Sequence, residues 1–326
     1  MRLLAGLGAL VAALFAASLL VGPAGIAPIA ALHALIVGGD GPLPIVMQDI
    51  RLPRALLGLG VGASLGLAGA ALQGFLRNPL AEPGLIGVSS AAALGAVLAI
   101  QTGLAASVAL GLPLAALAGA ALAVALLFLL AGRDGDTLTL ILAGIAVSAL
   151  AGAFTSLVLN LSPNPFAAAE IVFWLLGSLA DRSMTHVWIA LPLMVAGWVL
   201  LTLTARGLDA LTLGEDAAAT MGISMPRLRV MVVFGAAATV GAATAVAGVI
   251  GFVGLVVPHI LRPFVGASPA RLLPASALGG AAMVLAADVA VRVILPERDL
   301  KLGVVTAIVG APLFLHLIWR LRRGQL

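Results

Sequence analysis

The chain has no cysteine, one lysine and few charged residues in its 326 positions. Without cysteine, neither a disulfide nor a thiolate metal site can form, and nothing about compartment follows. The single lysine, Lys301, stands after Pro296-Glu297-Arg298-Asp299-Leu300 rather than in a glycine loop. A G-x-x-x-x-G-K-[ST] phosphate cradle is therefore excluded, and any ATP used must be bound by another chain. Charged residues make up 9% of the chain, against about 25% in a soluble domain. No alternating pattern of the kind a membrane β-barrel needs is present, and no internal repeat is apparent. Carboxylates within apolar runs are also scarce. The clear case is Asp288, with Arg292 four residues later on the same helical face, a spacing that predicts an intrahelical ion pair. Proton or sodium coupling, which places ionisable groups within the bilayer, has little support. His33, His186, His259 and His316 lie on separate segments, so no hydrolytic or haem-ligating constellation is expected from them.

Apolar and small residues fill the space these absences leave. Hydrophobic residues make up 62% and glycines number 39, with a mean hydropathy of +1.22. Small residues let helices approach closely in lipid, so an all-α polytopic membrane protein is predicted. Ten apolar runs qualify as spans: Leu3–Val21, Ala55–Leu76, Ser89–Gln101, Ala105–Ala131, Leu138–Leu159, Val187–Thr204, Val230–Ala247, Ile250–Phe264, Leu272–Ile294 and Leu302–Trp319. The first could pass for a signal peptide, but is expected to be a retained span. The net charge of +4 comes from arginines at the ends of these runs, which points to topology rather than to nucleic acid. One set of connections holds Arg2, Arg77, Arg133, Arg206, Arg227, Arg229, Arg262, Arg271, Arg320, Arg322 and Arg323. The other holds Arg51, Arg54, Arg182, Arg292, Arg298 and Lys301, six of the 17 basic residues. The positive-inside rule then puts both termini in the cytoplasm. It also puts Arg51 and Arg54 outside, against the bias.

Three local patterns carry more information. In "LRNPLAEPG" a helix is expected to stop at Arg77. Asn78-Pro79 cannot continue it, because proline disfavours the α conformation in the residue before it. Such a break is either a plain turn or, with Leu80 and Thr137, part of an inner gate. In "RGLDALTLGEDAAATMGISMPRLR", residues 206–229, Glu215 and Asp216 stand where a short helix would start, favoured by its dipole. Ala217 and Ala218 continue it, and Gly222 is a natural residue to end it. In "VGLVVPHILR", Pro258 breaks or kinks an apolar segment, either for packing or along a pathway; Pro312 does the same in the last span.

The stretches "RLPRALLGLGVGASLGLAGAALQGFLRNPLAEPGLIGVSSAAALGA", "GFVGLVVPHILRPFVG" and "LKLGVVTAIVGAPLFLHLI" resemble the bacterial permeases that import ferric siderophores, haem and cobalamin with an ATP-binding-cassette subunit. The resemblance runs over nearly the whole chain and implies one permease domain, residues 1–326, in the bacterial inner membrane. It implies about ten spans, a homodimer, two cytoplasmic ATPase subunits that bind ATP and Mg, and a periplasmic binding protein, with no cofactor on this chain. It makes 206–229 the coupling loop, with Glu215, Asp216, Ala217, Ala218, Gly222 and Arg227 facing the ATPase. Asn78, Pro79, Leu80, Thr137 and Pro258 become gate or pathway residues. Arg51, Arg54 and Arg292 would receive acidic residues of the binding protein; interfacial anchoring of the arginines is the competing reading. Many siderophore members have proline where Lys301 stands, which favours haem as cargo over a siderophore or cobalamin. A secondary transporter acting alone is the alternative from another class, and the scarcity of intramembrane carboxylates speaks against it.

Overall fold

In a hydrocarbon core every backbone N–H and C=O must be satisfied within the chain, and the helix does this segment by segment. The structure, a computed structural model, describes residues 2–22, 25–39, 41–132, 137–266, 268–294 and 300–322. Arg133, Arg298 and Arg323, used above for orientation, lie outside them. Among the described residues the regular structure is helical throughout, with no strand. In chain order come α1 Arg2–Leu20, α2 Pro28–Val37 and α3 Pro42–Phe75. After a 3-10 turn at Pro83–Ile86 follow α4 Val88–Gln101, α5 Leu104–Ser107 and α6 Gly111–Ala131. Next are α7 Thr137–Leu161, α8 Pro165–Leu175 and α9 Met184–Leu203. Two short helices, α10 Ala205–Leu211 and α11 Glu215–Thr220, precede α12 Met225–Ala247. Finally come α13 Val253–Leu261, α14 Pro269–Ile294 and α15 Leu302–Arg322.

Seven of these helices are long and apolar enough to cross a membrane. Shorter apolar helices stand at the third, eighth and tenth expected positions, so the ten-span pattern is met. Four details differ from expectation. The second span begins not at Ala55 but at Pro42, and Arg51 and Arg54 lie inside its helix. Pro53 is accommodated because residues Ile45–Arg51 form a wider π turn, which relieves the clash and missing bond a proline imposes. The run Ala105–Ala131 is interrupted: α5 ends at Ser107 and Val108 is extended, so the long helix starts at Gly111. Two helices were not expected, each far shorter than the roughly 20 residues a span needs: α2 has 10 residues and α8 has 11. The start of α8 is nonetheless conventional, with the Asn164 side chain accepting from the Phe166 N–H and Pro165 in its first turn. Lastly, Arg227 and Arg229 belong to α12 rather than to the loop before it.

The centre of the fold is α3, which packs against α14, α12, α13, α9 and α1. Its glycines set the α3–α14 distance. A Cβ on Gly62 would fall on the Gly280 carbonyl oxygen, one on Gly66 on that of Ser276, and one on Gly280 back on that of Gly62. The two backbones thus touch along small residues four apart.

Candidate functional site

At one end of the bundle, α10 and α11 form a compact surface element. Glu215 and Asp216 are exposed in the first turn of α11, where the helix dipole favours them. Ala217 is half-buried, and Ala218 is fully buried and anchors the helix. Gly222 has φ +81°. Its N–H donates to the Ala219 carbonyl at 2.9 Å while the Ile223 N–H donates to that of Ala218 at 3.1 Å. That pair of bonds is the Schellman ending, whose left-handed position suits glycine. Two large apolar side chains flank this helix in the open: Leu213 is 69% and Met221 62% exposed. Beneath it, the Asp209 carboxylate accepts from the Ser268 hydroxyl at 3.1 Å and from the Ala270 N–H at 3.0 Å. Asp209 therefore supplies the N-terminal cap of α14 from α10. Arg227 is exposed on the first turn of α12 and shares a cleft with Arg206 and Gly222. Arg229, two residues on, is buried.

The expected gate is a backbone break. The α3 helix stops at Phe75, Arg77 is left-handed at φ +48°, and the Asn78 side chain accepts from the Leu80 N–H at 2.9 Å. Pro79 and Leu80 are half-buried and Asn78 is exposed. Thr137 opens α7, and no hydrogen bond among the described residues joins it to Asn78 or Leu80. Pro258 is buried inside α13. Having no N–H, it cannot bond the Gly254 carbonyl four residues earlier. The buried Gln73 of α3 supplies the donor instead, its Nε2 lying 3.5 Å from the Gly254 oxygen and 3.2 Å from that of Leu255. Arg262 fixes this amide by donating to Gln73 Oε1 at 2.7 Å. Upstream, Glu82 accepts from the Phe252 N–H at 2.9 Å, where Phe252 is left-handed at φ +68°.

At the other end of α3 and α14, the basic residues that violate the orientation bias have partners. Arg51 is 5% exposed and donates to the Leu19 and Leu20 carbonyls at 2.9 and 2.8 Å. Arg292 donates to the Ser18 and Val21 carbonyls at 2.9 and 3.1 Å and to the Ser18 hydroxyl at 2.7 Å. Both close the C-terminus of α1, whose last carbonyls have no partner within the helix. Asp288 sits between Arg54 at 2.8 Å and Arg292 at 2.7 Å, so the expected intrahelical pair is present and has a second arm. Arg182 donates to the Val246 carbonyl near the end of α12. Burial pushes its guanidinium below the usual range, with Asp181 acting in the opposite direction. Lys301 lies over the Phe173 ring at 5.4 Å. Arg51, Arg182 and Arg292 therefore serve helix termini, where a positive group also complements the dipole.

The sequence reading missed Gln73, Glu82, Asp209 and Ser18. Gln73 carried a signal, being a lone amide in an alanine- and glycine-rich run that must find a partner. Asp209 and Glu82 looked like loop charges, and their targets are remote in sequence.

Comparison with known proteins adds the family. Residues 10–320 match the FecCD transport family. The Fe(3+) dicitrate transport system permease protein FecD of Escherichia coli (strain K12) is 42% identical, covering 85% of this chain and 86% of that protein. The hemin transport system permease protein HmuU of Yersinia pestis is 37% identical over 86% of this chain and 85% of its own length. Among solved structures, one described as an inward-facing conformation of a putative metal-chelate type ABC transporter superposes with a TM-score of 0.86 and 34% identity. It covers 98% of this chain and 99% of that chain.

Proposed function

The chain belongs to the FecCD transport family and is the multi-pass inner-membrane permease subunit of an ABC transporter; on that premise we propose that it imports a metal chelate by alternating access. Hydrolysis is carried out by a separate ATPase subunit. The observation that carries the import reading is α11, an acidic, end-capped surface helix with Leu213 and Met221 exposed beside it. Such a helix has the shape and chemistry to seat in a groove of the ATPase. It rests on α10, whose Asp209 caps α14, so a push on α11 is passed to a helix that runs the length of the bundle. Glu215, Asp216 and Gly222, with Ala217 and Ala218 beneath, are the coupling residues in this reading, while Arg227, expected with them, stands apart on the first turn of α12. They lie in the segment 206–229, whose last five residues open α12, and both termini share its cytoplasmic side.

The remaining partners are a second copy of the chain, two ATPase subunits and a periplasmic binding protein. Asn78, Pro79, Leu80, Thr137 and Pro258 form the gate region, in which Gln73 and Arg262 hold the proline break. Docking of the binding protein is proposed at the end bearing Arg51, Arg54 and Arg292. There Arg54 and Arg292 share one carboxylate, Asp288, and Arg51 bonds carbonyl oxygens, so positive charge is in excess among the described residues, which suits an acidic partner. Haem is the cargo proposed first, from Lys301. Relatives named for iron dicitrate and for hemin match at similar identity, so the test is uptake. Cells carrying the complete transporter are given labelled haem, cobalamin and a ferric siderophore panel with the cognate binding protein. Haem uptake that disappears in a Glu215, Asp216 and Gly222 triple variant, with the permease still in the membrane, is expected. Uptake of haem no faster than without the transporter would remove haem, and unchanged uptake in the triple variant would remove the coupling role.

A further inference from the structure

A groove runs along the outside of the bundle between α6 and α12, apart from the gate and from α11. Its main chamber has a volume of about 1210 Å³ and continues into a second of about 360 Å³ toward α9. Val230, Phe234 and Ala237 of α12 face Ala121, Ala125 and Phe128 of α6 across it. The groove exists because α6 presents alanines where larger residues would fill the space. Phe128 and Phe234 stack at 5.4 Å and form part of its wall. From Pro226 to Ala238 the groove follows α12 for about 18 Å, at about 1.5 Å per residue. That is close to one leaflet, half of a hydrocarbon core of about 30 Å.

The two ends of the groove differ in chemistry. The far end is wholly apolar, lined by Leu117, Leu193 and Ala238. The near end carries Arg227, which also borders an adjoining cleft with Arg206. Both arginines are exposed, and neither guanidinium has an ion pair or hydrogen bond among the described residues. The segment thus offers an acyl-length slot with two cations, unpaired among the described residues, at the end where α12 begins.

We propose that this groove is a binding site for one anionic phospholipid, its acyl chain lying between α6 and α12 and its phosphate held by Arg227 and Arg206. Arginine suits the role because its fork binds phosphate oxygens in pairs. An anionic headgroup gains about fivefold per basic residue near the surface, so two arginines give a preference of about 30-fold over a zwitterionic lipid. The site rests on the membrane-protein reading alone and stands whatever the cargo proves to be.

Native mass spectrometry of the full-length permease tests it, with dioleoyl phosphatidylglycerol and dioleoyl phosphatidylcholine offered in turn. One phosphatidylglycerol retained per chain at about 30-fold tighter binding is expected, falling to within about threefold for Arg206→Gln with Arg227→Gln. Ala125→Trp, which fills the slot and leaves the arginines in place, should also abolish retention. Thermal unfolding of each variant checks that it is folded. Glycerol 3-phosphate should not compete. Equal binding of the two lipids, competition by glycerol 3-phosphate, or a preference that survives the double variant overturns the proposal. So does a double variant that loses ATPase binding and keeps the lipid, since Arg227 would then belong to the coupling surface.

Discussion

Asp288 is 1% exposed and, among the described residues, is the one carboxylate paired with Arg54 and Arg292. Removing it leaves two guanidinium groups in a poorly hydrated junction without their counter-charge. Asp288→Asn should therefore destabilise the permease by about 3 kcal/mol, in the range for breaking one side of a buried pair. Arg292→Lys should recover little of what Arg292→Ala loses. An ammonium cannot bond two carbonyls, the Ser18 hydroxyl and Asp288 with the geometry of a fork. Thermal unfolding in detergent measures both, and an Asp288→Asn protein as stable as the parent would show that the junction is solvated. The i, i+4 half of this cluster was legible in the sequence. The Arg54 arm was not, because it joins residues 234 apart. Arg51 and Arg54 stood out only as a departure from the charge bias, which locates an arginine without revealing that a helix terminus needs it.

Among the elements, α11 was the most legible, since two acids at its start, alanines inside it and a glycine after it all point to one structure. Gly222→Val should test its ending. A β-branched residue at φ +81° is strained, at a cost of about 1 kcal/mol or more, enough to fray a helix of 6 residues. Transport should fall while the unfolding temperature of the spans holds; unchanged transport would mean that the ending of α11 is irrelevant to coupling. The first turns of α3 were hidden by their composition. "PLPIVMQDIR" combines two prolines with Gln48, Asp49 and Arg51 and reads as a loop. Tertiary bonds rescue it as helix: Gln48 donates to the Ala34 and Leu35 carbonyls of α2, and Arg51 reaches α1. The glycines at 62, 66 and 280 were legible as small-residue packing in general, and only the structure pairs them. Gly62→Leu should consequently push α3 from α14 and lower the yield of folded protein, whereas Gly6→Leu, with open space around it, should not. Equal yields would refute close packing at this crossing.

On the scale of the whole molecule, α14 connects the end bearing α10 and α11 to the end bearing Arg54 and Arg292, where docking is proposed. Asp209 holds its N-terminus and Asp288 lies 18 residues beyond Ala270, about 27 Å away at the helical rise. Loss of the Asp209 cap should cost about 1 kcal/mol. If α14 transmits force, Asp209→Ala should lower transport per ATP hydrolysed in the assembled transporter by more than it lowers ATPase activity. At the opposite end, docking is best probed through Arg54, whose side chain is 18% exposed against 9% for Arg292. Arg51 is less suitable because its replacement also uncaps α1. Arg54→Gln removes one charge and places no second carboxylate beside Asp288. The long-range attraction of an acidic binding protein should weaken, so its association rate should fall and depend less on salt. The difference between variant and parent should shrink as ionic strength rises and the screening length drops from about 10 Å at 0.1 M to about 3 Å at 1 M. Stopped-flow binding of the binding protein to permease in nanodiscs, at several salt concentrations, measures this directly. Identical rates and salt slopes in parent and variant would confine Arg54 to its bond with Asp288 and move the docking surface elsewhere on that end.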